Sequence, residues 1–160
     1  MADLKRVFHD LVRFEIELWN AIDSRLKAEF GLPLGSFDTM QVIARIGSCR
    51  VQDVARELAI TVGGTSKVID RIERLGHCER RSNPGDRRSS IIELTPAGQA
   101  LLAEAGAVFE SELSARLGAS LPARSLDQFA AALTMLRAGP AGRDPGATPT
   151  KSSAPRERTA

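Results

Sequence analysis

The sequence predicts a mainly helical fold that carries one small β-hairpin. Three observations lead to this. Apolar residues recur at helical spacing over most of the chain, as in Leu4, Val7, Phe8 and Leu11 and again in Leu126, Phe129, Leu133 and Leu136. The period shortens between Cys78 and Leu94, on either side of the turn-forming run Asn83-Pro84-Gly85-Asp86. Hydrophobic residues make up 42% of the 160 residues but aromatics only 4%, with no Tyr, so the core must be built mostly of Leu, Ile, Val and Ala.

The elements follow in order. Leu4, Val7, Phe8, Leu11, Trp19, Ile22 and Leu26 predict one long helix from about Leu4 to Phe30, which Gly31-Leu32-Pro33 ends. Val12 and Ile16 add a second apolar edge, so this helix is expected to touch two surfaces, its own domain and a partner chain. Ser36 is read as the N-cap of a short helix bearing Phe37, Met40, Val42, Ile43 and Ile46, broken at Gly47-Ser48. Val51, Val54, Ala55 and Leu58 fit a two-turn amphipathic helix. After a tight connection at Ala59-Ile60-Thr61, Thr61 caps a third short helix that runs to Leu75, with Val62, Val68, Ile69, Ile72 and Leu75 inward and Gly76 at its left-handed end. Two strands, 78–83 and 89–94, then form the hairpin, tipped by Arg87 and Arg88. Thr95 caps and Pro96 opens a helix expected to reach about Leu117. A last helix ends at Gly139. From Pro140 to Ala160 the composition is Pro, Gly, Ser, Thr and charge, which predicts a disordered tail.

Composition narrows the function classes. The formal net charge is only +2, but residues 67–88 hold seven basic and four acidic side chains, so positive charge is concentrated where phosphates would be met. The N-terminus does not read as a signal peptide, because Asp3, Lys5, Arg6 and Asp10 interrupt any apolar run, and no stretch is long and apolar enough to span a bilayer. A cytoplasmic location without membrane contact is the expectation. Cys49 and Cys78 do not make a disulfide framework, and with His9 and His77 they lack paired metal-ligand spacing, so neither metal nor cofactor is expected. No nucleophile elbow, phosphate-binding loop or metal-protease motif is present, which argues against an enzyme.

Two short helices joined by a tight turn and followed by a basic hairpin make a winged helix-turn-helix. A helix that enters the major groove of double-stranded DNA needs small polar and cationic residues at its leading end. Thr61, Gly63, Gly64, Thr65, Ser66, Lys67 and Arg71 supply them. Lys67 and Arg71 are four apart and share a helix face. Arg87 and Arg88 at the hairpin tip are placed to enter the minor groove.

Several short runs carry a family likeness: Gly64-Thr65-Ser66-Lys67-Val68-Ile69-Asp70-Arg71-Ile72, Leu75-Gly76, Glu79-Arg80, Asn83-Pro84-Gly85-Asp86-Arg87-Arg88 and Leu94-Thr95-Pro96-Ala97-Gly98. Together they resemble the MarR (multiple-antibiotic-resistance regulator) family over about Leu4–Ala138. The resemblance implies a homodimer joined by the first and last two helices on a pseudopalindromic operator. It also implies repression relieved by a small effector, aromatic or anionic, bound between the dimerisation helices and the DNA-binding lobe. It maps minor-groove insertion onto Arg88 beside Arg87, and major-groove contacts onto the helix from Thr61 to Arg71. Arg13, Phe14, Trp19, Phe37, Asp38 and Met40 would then lie near the effector. Phe37, Asp38 and Arg80 look similar to positions of the urate-responsive branch, from which Val68 departs. The chain accordingly divides into an N-terminal dimerisation helix (1–34), a DNA-binding lobe (35–98), C-terminal dimerisation helices (99–139) and the tail (140–160). Other readings are a winged-helix interaction module without DNA binding, and a thiol-based redox regulator. For the latter Cys78 is expected to face inward and Cys49, in a loop, to be exposed.

Overall fold

The structure is a computed structural model and describes residues 1–86 and 89–139. The expected Arg87 and Arg88 wing tip and the expected tail therefore lie outside the described residues. The chain forms two compact units, Met1–Ser120 and a second that starts at Leu121.

In the first unit, α1 spans Leu4–Phe30, α2 Leu34–Ile46, α3 Val51–Leu58 and α4 Val62–Arg74. The strands β1 (Cys78–Ser82) and β2 (Ser90–Leu94) follow, and then α5 (Pro96–Leu113), which continues as a π-helical turn over Ser114–Gly118. The second unit holds α6, Ala123–Ala138, ended at Gly139. The α1 boundaries are those its periodicity predicts. Gly31 closes the helix at φ 64°, a left-handed conformation that glycine adopts without steric penalty. The helix expected to run on to Leu117 is α-helical only to Leu113.

The predicted start of α2 is corrected. The helix begins at Leu34, so Ser36 lies inside its first turn, buried, and the N-cap residue is Pro33, which has no capping side chain. The cap comes from α1 instead. Asp23 Oδ1 accepts the Leu34 N–H at 2.9 Å, and the same carboxylate pairs with Lys27 Nζ at 2.6 Å. Burial alone would raise the Asp23 pKa, but the bonds from Lys27 and the Leu34 amide outweigh it and the carboxyl sits below its usual range.

The core lies where α1, α2, α4 and the hairpin meet. Leu26, Phe37, Met40, Ile43, Ile69, Ile72 and Ile92 are fully buried there, and the Phe37 ring lies 4.9 Å from that of Phe109 on α5. Only the C-terminal half of α1 joins this core, through Ile22 and Leu26, while most of its first twenty residues stay exposed. A salt bridge from Arg25 to Glu112, 2.8 Å, ties α1 to α5. Along α4, Ile69 and Ile72 are inward as expected and Val68 packs at the core's edge. Val62 and Leu75 are not inward; they are 49% and 59% exposed, because each sits at an end of the helix beyond the reach of the packed face.

The hairpin is antiparallel in the register Cys78↔Leu94, Arg80↔Ile92 and Ser82↔Ser90. A feature without periodicity in the sequence completes it. Cys49, in the α2–α3 connection, pairs with Ile92 through two backbone hydrogen bonds, 2.7 and 3.3 Å. The α3–α4 turn is closed by Ala59 in the left-handed region, φ 54°.

Candidate nucleic-acid interface

The leading end of α4 is built by Thr61. Its hydroxyl accepts the Gly64 N–H at 3.2 Å and satisfies one of the free amides of the first turn. From there Gly63, Gly64, Lys67 and Arg71 are exposed and Ser66 is half-buried, so one outward face carries small residues first and cations behind them. Thr65 is a correction. It is 0% exposed, and its hydroxyl donates to the Thr61 carbonyl at 2.9 Å, so it packs against the lobe and does not face a groove. Helical geometry turns position 65 inward with Ile69 and Ile72, a face the composition of the run does not reveal.

Lys67, Arg71 and Arg74 make no ion pair with a described residue. The acids beside them, Asp70 and Glu73, are occupied by Arg80 of β1. Its guanidinium meets Asp70 Oδ1 at 2.6 Å and also pairs with Glu73, while its backbone N–H donates to Glu73 Oε1 at 3.1 Å. Burial works to lower the Arg80 pKa, but the two carboxylates outweigh it and hold the group charged.

The wing is organised from its base. Asn83, 8% exposed, accepts the Gly85 N–H on its side-chain oxygen at 3.0 Å, closing an Asx-type turn, and donates to Ser89 Oγ at 2.9 Å. Between wing, α3 and α4 lies a cleft of about 400 Å³ lined by Arg50, Gln52, Ser66, Arg80, Ser89 and Ser90 among others. The wing root is docked on α5: Thr95 Oγ1 donates to the Gly76 carbonyl at 2.6 Å and Thr95 N–H to that of His77 at 3.1 Å.

The effector candidates are not brought together. Arg13, Phe14 and Trp19 lie on the exposed stretch of α1, Arg13 paired with Glu17 at 2.8 Å. Phe37 and Met40 are sealed in the core. Asp38 is half-buried, and burial raises its pKa. A cavity of about 410 Å³ beside Ile43, Ser48, Glu93 and Gln99 contains none of the six.

Both cysteines are buried. Cys78 faces inward as expected. Cys49 is corrected: it is 2% exposed, because its segment pairs with β2. Burial, assisted by nearby acids, pushes both thiols up to about 11. A redox sensor needs the opposite, an accessible thiol with a lowered pKa.

Comparison with known proteins agrees with this geometry. Residues 30–89 match the model of the MarR family. An uncharacterised HTH-type transcriptional regulator of Bacillus subtilis, YwhA, is 32% identical over 60 residues, 38% of this chain and 43% of YwhA. The chain's match spans less than half the length of that relative. The solved structure of Sco3205, a MarR family transcriptional regulator of Streptomyces coelicolor in complex with DNA, superposes with a TM-score of 0.80 at 19% identity, covering 88% of this chain and 90% of that one. BpsR of Bordetella bronchiseptica, whose DNA binding is regulated by 6-hydroxynicotinic acid, superposes with a TM-score of 0.74 at 24% identity over 82% of this chain and 98% of its own. These relatives are described as transcriptional regulators. Among the described residues no helix is long and apolar enough to cross a membrane.

Proposed function

We propose that this chain is a MarR-family, sequence-specific DNA-binding transcriptional regulator, a reading supported by the match of residues 30–89 to that family's model and by the winged-helix fold it shares with Sco3205. The observation that carries the reading is the outer face of α4. Lys67 and Arg71 stand exposed, with no ion pair among the described residues, behind a leading end of Gly63, Gly64 and Ser66, while the neighbouring acids are held by Arg80. That face suits the major groove, and Arg87 and Arg88 are assigned to the adjacent minor groove.

The working form is a homodimer on a pseudopalindromic operator, with residues 35–98 as the DNA-binding lobe and the helices of 1–34 and 99–139 as the dimerisation region. The first two turns of α1 expose Leu4, Val7, Phe8 and Leu11 at helical spacing, Phe8 by 62%, an apolar stripe that a second copy would cover. The protein represses its target until a small aromatic or anionic effector binds. Arg13, Phe14, Trp19 and Asp38 offer a cation, two rings and a carboxylate at or near the surface, and Phe37 and Met40 become available only if the core loosens. The regulation of the structural neighbour BpsR by an aromatic acid supports that class of effector.

The test is a binding titration against a duplex that the protein recovers from a random-sequence pool, at two salt concentrations. Affinity should fall steeply with salt as neutralised phosphates recapture their counterions. Lys67→Ala and Arg71→Ala should each weaken binding by about 1–3 kcal/mol with the helical signal unchanged. Failure to prefer any recovered sequence over competitor DNA would refute the reading.

A further inference from the structure

We propose that Arg80 is a positioning residue for the DNA-facing surface: it captures Asp70 and Glu73 so that Lys67, Arg71 and Arg74 remain free for phosphates. This rests on the DNA-binding reading above and assigns how its cationic face is kept available.

The argument starts from the order of charges along α4: Lys67, Asp70, Arg71, Glu73, Arg74. Residues three and four apart on a helix are neighbours, so Lys67 with Asp70, and Asp70 with Arg74, are ready-made intrahelical pairs, the second in the favoured acid-before-base order. Elsewhere the chain makes such pairs readily. Arg13 and Glu17, Arg25 and Glu29, and Asp23 and Lys27 all close at 2.6–2.8 Å. On α4 none forms. Both acids turn instead to one guanidinium that reaches across from β1, and Arg80 is the only cation of the described residues within ion-pair distance of either.

Two consequences follow. First, the acids are neutralised from the wing side, so the negative charge interleaved with the cations is drawn away from the outward face. Second, the neutralising group is partly shielded, 25% exposed in its side chain, and its own backbone N–H also binds Glu73, so it does not wander as a free surface arginine would. One planar guanidinium can serve two carboxylates at once, which a lysine ammonium does less well. Arg80 also lines the cleft with Arg50, Ser66 and Ser89, close to the surface assigned above to DNA. A direct phosphate contact by Arg80 is therefore the rival outcome that the test must separate.

The experiment uses the full chain and a duplex recovered by the wild-type protein from a random-sequence pool. Arg80→Gln releases two carboxylates beside the binding cations and should weaken binding about tenfold or more, with a shallower dependence on salt. The triple variant Arg80→Gln, Asp70→Asn, Glu73→Gln removes the acids as well. It should return to within about threefold of wild type and recover the salt slope. Asp70→Asn with Glu73→Gln, Arg80 retained, should bind no more weakly than wild type, and this variant answers the question even if Arg80→Gln fails to fold. The proposal is overturned if Arg80→Gln binds like wild type, if the triple variant stays as weak as the single one, or if the double variant binds weakly. A wild-type chain that recovers no sequence would bring down the DNA-binding reading itself, a result distinct from binding without rescue.

Discussion

Gly98 stands where α5 leaves the wing, and replacing it with Ala is the sharpest perturbation the fold offers. A Cβ built on Gly98 would lie 1.9 Å from the His77 carbonyl oxygen, 2.8 Å from the carbonyl carbon and 3.1 Å from the His77 Cα. Carbon atoms are comfortable at about 3.5–4 Å from their neighbours, so the two backbones must separate by at least about 1 Å. No side chain can yield, because the obstacle is main chain. The segment that must move also carries Thr95, whose hydroxyl and amide bind Gly76 and His77, so two docking hydrogen bonds are stretched. Each is worth about 1 kcal/mol net, and overpacking adds about 1–3 kcal/mol. The better helix propensity of Ala returns about 1 kcal/mol. The balance is a destabilisation of about 3 kcal/mol, a fall in melting temperature on the order of 10 °C for a unit of this size. Gly106→Ala is the control in the same helix: nothing lies within 4 Å of its Cβ position, so only the propensity gain remains. Thermal and urea unfolding of the two variants, measured beside wild type, decide the matter. If Gly98→Ala melts with or above Gly106→Ala, the close approach of α5 to His77 is not a feature of the native fold and the reasoning fails.

Asp23→Ala should cost about 1–2 kcal/mol in urea unfolding by removing the cap of α2. Because the folded-state Asp23 pKa is depressed, the carboxylate's contribution is complete at neutral pH and is lost as pH falls through the folded value; the gap between wild type and variant should close below about pH 4. A gap that is absent at neutral pH would show that Asp23 is not the cap. Cys49 and Cys78, with thiols at about 11, should react slowly with an alkylating reagent at pH 8 and rapidly once unfolded. The folded chain holds protons that the unfolded chain releases near its ordinary thiol pKa, so stability should decline as pH rises from about 9 toward 11. Fast labelling of the native protein would contradict the burial.

Much of the architecture was legible in the residues because its causes are local. The apolar spacing of α1, the Thr61 and Thr95 caps, Gly76 with φ 77° and the Asn83-Pro84-Gly85 turn each act within a few residues, so periodicity and turn chemistry find them. Lys67 and Arg71 were legible for the same reason, since their shared face is a property of one helix. What the residues could not reveal depends on which surfaces meet. Ser36 has the right chemistry for a cap, yet Asp23 of another helix holds that place. Thr65 sits in the polar run but on the face that packs. Cys49 lies in a connection, yet pairing with Ile92 buries it. Arg80 is one basic residue among seven until β1 brings it against Asp70 and Glu73. Short-range preferences decide what each segment becomes. The closing of distant segments around a shared core decides which polar groups are used inside the fold and which are left for a partner.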